Sequence, residues 1–114
     1  MTTSPSTGPI PELSAKAAAE FLRRHPEAKL VDVRTDEEYA IAKIPGAVLI
    51  NTLEQAQEIL NLPKDTPIVF HCHHGMRSLQ AAGYFREKGC TNVFNLAGGI
   101  EAWSLDVDPS VPRY

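Results

Sequence analysis

One short segment concentrates the side chains that can do chemistry: Phe70-His71-Cys72-His73-His74-Gly75-Met76-Arg77-Ser78. A thiol stands just beyond the apolar run Ile68-Val69-Phe70, and a helical pattern begins about four residues later. A loop curling around Cys72 aims several backbone N–H groups at the space above its sulfur. The N-terminus of the following helix adds its positive dipole end, and Arg77 adds a permanent cation with several fixed donors. All three effects favour thiolate over thiol, so the Cys72 pKa is expected below its reference of ~8.5. They also form a cradle for an anion delivered to that sulfur. Gly75 allows a tight turn or a positive φ. The pattern predicts nucleophilic catalysis by Cys72 on an anionic substrate. Arg77, His73, His74, Gly75, Met76 and Ser78 form the expected substrate-binding set.

Other uses of these residues carry less weight. Neighbouring histidines on one tight loop rarely converge on a single ion, and no second ligand cluster follows at a suitable spacing. No metal site is therefore expected. His71 lies on the strand and reads as structural, and His25 as a helix-end residue. An arginine in the first turn of a helix opposes the dipole unless an anion is nearby, which favours an anion site at Arg77. Asp32 ends an apolar run, where an unpaired carboxylate is costly. It is expected to be a hydrogen-bonded support, with Arg34 as its structural partner and a candidate for substrate access. Cys90 reads as core filler, the alternative being a resolving thiol. Tyr39 and Trp103 read as packing residues.

The surrounding elements must hold this loop in place. Residues 1–11, rich in Ser, Thr, Pro and Gly, read as a mobile leader with a short strand near Ile10. Ser14 caps a helix running to about His25, with Ala18, Phe21 and Leu22 on one face, and Pro26 stops it. Leu30-Val31-Asp32-Val33 reads as a buried strand. Thr35-Asp36-Glu37-Glu38 is a capping box opening a helix that ends before Pro45-Gly46. Ala47 to Ile50 is a further apolar run, and Thr52 to Gln55 a second capping box, with Leu53, Ala56 and Leu60 at helical spacing. After the Cys72 loop, Leu79, Ala82 and Phe85 mark a helix closed by Gly89. Val93 to Leu96 is the last strand, and Gly98-Gly99 turn into a final helix around Ile100 to Trp103.

Short, almost wholly apolar strands alternating with amphipathic helices predict an α/β fold. Its central, mostly parallel sheet of four or five strands is covered by helices on both faces. Ligands in such sheets bind beyond the carboxyl ends of the strands, where the Cys72 loop falls. The 114 residues suit one domain, expected over residues 12–108 with a tail at 109–114. Eleven Lys and Arg against fourteen Asp and Glu give a formal charge of −3, with no long basic run, which argues against a nucleic-acid or membrane-surface role. Two cysteines do not make a disulfide framework. No stretch approaches the ~18 apolar residues of a membrane span, and the amino terminus lacks a signal-peptide pattern. A cytoplasmic, reducing location is expected.

The motifs, in order, resemble those of single-domain rhodanese-like sulfurtransferases. Asp32-Val33-Arg34 followed by Glu38-Tyr39 is similar to the first signature of that family. Ile44-Pro45-Gly46-Ala47 is similar to the second, Cys72 to Arg77 to the active-site loop, and Leu96 to Trp103 to the last. Lys43 departs from the family, which commonly has histidine before Ile-Pro-Gly, and Cys90 stands where a bulky apolar residue is usual. The resemblance implies a three-layer rhodanese-like domain. It also implies transfer of a sulfane sulfur, from a donor such as thiosulfate to cyanide, a thiol or a protein cysteine, through a Cys72 persulfide and with no metal or organic cofactor required. Cysteine phosphatases, including those sharing the fold, have five residues between Cys and Arg. Here there are four, His73 to Met76, which favours sulfur transfer over phosphatase activity. A sulfur carrier or partner-binding module with little turnover is the other alternative.

Overall fold

The computed structural model describes residues 8–114; the first seven residues of the expected leader lie outside the described residues. Five strands and five helices alternate along the chain: β1 (Glu12–Leu13), α1 (Ala15–Arg24), β2 (Lys29–Asp32), α2 (Asp36–Ile41), β3 (Val48–Leu49), α3 (Leu53–Leu60), β4 (Ile68–His71), α4 (Met76–Glu87), β5 (Val93–Leu96) and α5 (Gly99–Asp106). The strands form one sheet in the order β1-β5-β4-β2-β3, and every pairing is parallel.

Side chains alternate across each strand, and the alternation sorts the core into two clusters. Leu30, Val69 and Leu96 face one side and pack with Ala15 and Ala18 of α1 and with Ile100 and Trp103 of α5. Val31, Ile68, Phe70 and Val93 face the other, against Ile59 of α3 and Ala82 and Phe85 of α4. This is the three-layer arrangement, with helices on both faces of a parallel sheet. Ile10 is buried in the second cluster while Gly8, Pro9 and Pro11 beside it are exposed, and the strand expected near Ile10 lies at Glu12–Leu13. β2 lies one residue earlier than the run Leu30–Val33 and ends at Asp32, β3 is shorter than the run from Ala47 to Ile50, and α5 continues beyond Trp103 to Asp106.

The helix starts follow local chemistry. Ser14 caps α1 by accepting from the Ala17 N–H, and Thr35 and Thr52 make full capping boxes with Glu38 and Gln55. α4 differs: its N-cap is Gly75, with φ at 112° and no side-chain cap. Its first N–H groups are thus left for another acceptor. From β2 the chain proceeds outward to β3, whereas from β4 it proceeds to β5 on the opposite side. The crevice between the carboxyl ends of β2 and β4 is therefore the topological switch point of the sheet, where α/β folds place their ligands. Cys72 follows β4 directly, and Arg34 follows β2 by two residues.

Candidate active site

Cys72 is buried and its sulfur is the centre of the loop. The Gly75 N–H donates to Sγ at 3.1 Å, and the Ser78 hydroxyl stands 3.4 Å from it. Burial pushes the thiol up. Hydrogen bonding from the Ser78 hydroxyl, and from the backbone amides of Ser78, Gly75 and His74, outweighs burial and holds Cys72 below its ordinary value. The loop keeps this shape through its carbonyls. The Ile100 and Glu101 N–H groups at the start of α5 donate to the Cys72 and His73 carbonyls at 2.9 and 3.2 Å. They approach so closely because residue 99 is glycine, with φ at 61°; a Cβ there would stand 2.5 Å from the Cys72 carbonyl oxygen and meet that of His73 as well.

Arg77 occupies the first turn of α4 with its side chain half exposed. It forms a two-pronged pair with Glu38, at 2.7 and 3.0 Å. The hydrogen bond and charge of Glu38 raise the Arg77 pKa, and the Cys72 thiolate adds to that shift. Arg77 in turn holds the Glu38 carboxyl far below the usual carboxylate range. The cation expected to serve an anion alone is thus already shared with a carboxylate. Met76, beside it, is 71% exposed at the rim of the loop. His73 stacks on His74, ring centroids 3.9 Å apart, and on Tyr114 at the same distance.

Asp32 and Arg34 make the floor. Both side chains are fully buried, and Arg34 grips the Asp32 carboxylate through Nε and Nη2 at 2.9 and 2.7 Å. Arg34 also donates to the Ala42 carbonyl at 2.6 Å and to the Tyr114 hydroxyl at 2.8 Å. With its donors occupied and no exposed surface, Arg34 does not serve substrate access; it ties the segments after β2 and α2 together. His71 faces Asp32 across the β2–β4 pairing, Nε2 lying 3.6 Å from the carboxylate. Burial lowers its pKa to about 4, so it is neutral at neutral pH.

Cys90 lies in the core cluster beneath α4, and burial pushes its thiol up. It follows the C-terminal end of α4, a helix about 18 Å long whose N-terminal end Cys72 precedes, so the two cysteines stand at opposite ends of that helix. Four residues join the site that sequence patterns did not single out for it: Glu38, Asn95, Gly99 and Tyr114. Glu38 showed a capping box and a place in the first family signature, and Gly99 a turn within the last signature, neither with a role at the sulfur. Asn95 is the one polar side chain of β5, and Tyr114 carried no local signal because its contacts span 41 to 80 residues of chain. Among the described residues no three His, Cys, Asp or Glu side chains are grouped to hold a metal ion, and no helix is long and apolar enough to cross a membrane.

The fold and the loop together define an α/β domain that presents an activated cysteine, ringed by N–H donors, at the switch point of a parallel sheet. Residues 14–106 match the family described as "Rhodanese-like domain", and the chain belongs to that family. A sulfurtransferase of Allochromatium vinosum is 34% identical over 95 residues, covering 83% of this chain and 89% of that protein. A thiosulfate sulfurtransferase of Pseudomonas aeruginosa is 37% identical over 76 residues, covering 67% and 69%. The match to a rhodanese-like/PpiC domain-containing protein of Arabidopsis thaliana is 43% identical over 95 residues and covers 77% of this chain, which spans only 31% of that longer protein. Among solved structures, a rhodanese-like domain protein from Staphylococcus aureus superposes with a TM-score of 0.72 at 28% identity, covering 92% of this chain and 99% of that one.

Proposed function

We propose that this protein is a sulfurtransferase that carries a sulfane sulfur on Cys72. The observation that supports this best is the sulfur itself, held at the carboxyl end of β4 by the Gly75 N–H and beside the Ser78 hydroxyl. Those donors stabilise negative charge on the first sulfur, and the amides at the start of α4 extend the same field outward. The Cys72 thiolate attacks the outer sulfur of thiosulfate, the S–S bond of the donor breaks, and sulfite leaves with its electron pair. Cys72 then carries a persulfide anion. A thiophilic acceptor, cyanide in an assay or a thiol in the cell, attacks the outer sulfur and releases the Cys72 thiolate, completing two half-reactions of covalent catalysis. Arg77 draws the anionic donor to the loop, and His73, His74 and Met76 form the rim it passes. Sulfurtransferase relatives support the class of reaction.

The test is a mass measurement followed by turnover. Incubation with thiosulfate is expected to add one sulfur atom to the peptide containing Cys72, and cyanide is expected to remove it as thiocyanate. Cys72→Ser should lose both, while Cys90→Ser keeps them. Normal turnover by Cys72→Ser would sink the mechanism. A stable persulfide that cyanide does not discharge would identify a carrier instead.

A further inference from the structure

Asn95 stands inside β5 with 1% of its surface exposed, in a strand otherwise made of Val, Phe and Leu. An amide in that position costs desolvation unless its groups are paired, and here they are. Its Nδ2 donates to the Glu12 carboxylate of β1 and to the Gly75 carbonyl, each at 3.0 Å. Both partners are acceptors, so the reversed amide would set oxygen against oxygen; the orientation is determined. Oδ1 therefore faces Ser78, whose Oγ lies 2.5 Å away. An amide oxygen only accepts, so the hydroxyl donates to it. The same Oγ is 3.4 Å from Cys72 Sγ. A hydroxyl has one proton, and here two acceptors face it.

We propose that Asn95 is a positioning residue that holds the Ser78 hydroxyl proton while Cys72 is a thiol and yields it when the thiolate forms. In the first setting the Cys72 S–H donates to Ser78 Oγ, and Ser78 donates to Asn95. In the second, the Cys72 proton has left to solvent, the hydroxyl turns about its Cβ–Oγ bond, and it donates to the sulfur. Ionisation thus gives up the S–H bond to Ser78 and the Ser78 bond to Asn95, gains one charge-assisted bond to the sulfur, and leaves the buried Asn95 Oδ1 without its donor. Ser78 favours the thiolate; Asn95 opposes it and keeps the sulfur a more basic, stronger nucleophile than an unopposed cradle would leave.

The charged and titratable groups around the sulfur are His73 and His74 of the loop itself, with Tyr114 of the tail on His73, Arg77 of α4 with its partner Glu38 of α2, and the Asp32–Arg34 pair with His71. Glu12 of β1 stands behind Asn95 and pins its amide. α5 contributes backbone amides, its Glu101 being paired with Arg113. The inference rests on Cys72 as the nucleophile proposed above, so its test reads the thiolate without sulfur transfer.

Iodoacetamide alkylation of Cys72, followed across pH and assigned by peptide mass so that Cys90 does not contribute, reports the midpoint of thiolate formation. Ser78→Ala is expected to raise that midpoint by about half to one pH unit and Asn95→Ala to lower it by a similar amount. In the Ser78→Ala background, Asn95→Ala should add nothing, because Asn95 acts through that hydroxyl. A midpoint that rises or stays put in Asn95→Ala, or shifts equally in both backgrounds, overturns the proposal. Should Asn95→Ala fail to fold, exposed Glu12 carries the test. Glu12→Ala unpins the amide, and Glu12→Gln removes the charge but keeps an acceptor; a midpoint lower in Glu12→Ala supports the proposal, and an equal or higher one overturns it. Full turnover by Cys72→Ser would remove the proposed function and leave the titration result standing.

Discussion

Arg77 and Glu38 meet at the mouth of the Cys72 loop, and their pairing alters what the loop offers an incoming anion. A first-turn arginine raises the local potential at the sulfur, but a carboxylate within hydrogen-bond distance cancels much of it at long range. A doubly charged donor such as thiosulfate must share Arg77 with Glu38 or displace it. The guanidinium has donors enough for both, since its planar fork carries five N–H groups. Arg77→Ala is therefore expected to raise KM for thiosulfate and lower kcat/KM by roughly tenfold or more, as a charge-assisted contact is lost. Glu38→Gln should act in the opposite direction, lowering KM by up to about fivefold, the scale of a partly exposed ion pair. Steady-state thiocyanate formation at varied thiosulfate measures both. An unchanged KM in Arg77→Ala would remove that residue from donor binding.

At the scale of elements, α5 carries the Cys72 loop on its N-terminal amides, and a glycine sets how near it comes. Gly99 has two reasons to be glycine: its φ of 61° lies in the left-handed region, and any Cβ would collide with loop carbonyls that cannot swing aside. Gly99→Ala should cost about 2 kcal/mol or more of stability, visible as a lowered urea midpoint. What remains folded should also show slower alkylation of Cys72, because the loop carbonyls lose the Ile100 and Glu101 N–H groups. Wild-type stability and alkylation in Gly99→Ala would mean that the loop holds itself. The tail beyond α5 is likewise an element of the site. Val111 is buried and its carbonyl accepts from Ser104 at 2.6 Å, Arg113 pairs with Glu101, and Tyr114 bridges Arg34 and Glu38 while stacking on His73.

For the molecule as a whole, the paired ends of β2 and β4 place a buried histidine beside a buried ion pair, and this couples folding to pH. Burial, resisted by the charge of Asp32, lowers His71 to about 4 in the folded state, against about 6.5 for the exposed side chain. A depressed folded value means that the unfolded chain binds the extra proton across that window. The stability contributed is complete above about pH 6.5 and is lost as pH falls toward 4, on the order of 3 kcal/mol in total. His73, also lowered by burial and by its neighbour His74, adds in the same direction. Below that window Glu38 takes over, since its depressed carboxyl must be protonated next. Urea unfolding between pH 7 and 4 should show the decline, and His71→Gln should flatten it; a profile equally steep in that variant would assign the decline elsewhere.

The order and type of the elements were legible because they depend on local signals. The capping residues Ser14, Thr35 and Thr52 sit one residue before their helices, and the alternation of Leu30 with Val31 and of Val69 with Phe70 was visible as two-sided apolar runs. The nucleophile was legible for the same reason: Cys72 through Ser78 is one continuous stretch of chain. Strand ends were less so, because the ladder beyond Asp32 and Leu49 depends on how far the neighbouring strand extends.

By itself the sequence determined an α/β domain with a thiol, a turn glycine and a cation in the loop after its central strand. Only the tertiary structure decided how that thiol is tuned. Asn95, Gly99, Glu38 and Tyr114 reach the loop from β5, α5, α2 and the tail, and no local pattern encodes a hydrogen bond across so many residues. Propensity and periodicity act between near neighbours in the chain, whereas the charge and the proton at Cys72 answer to neighbours in space.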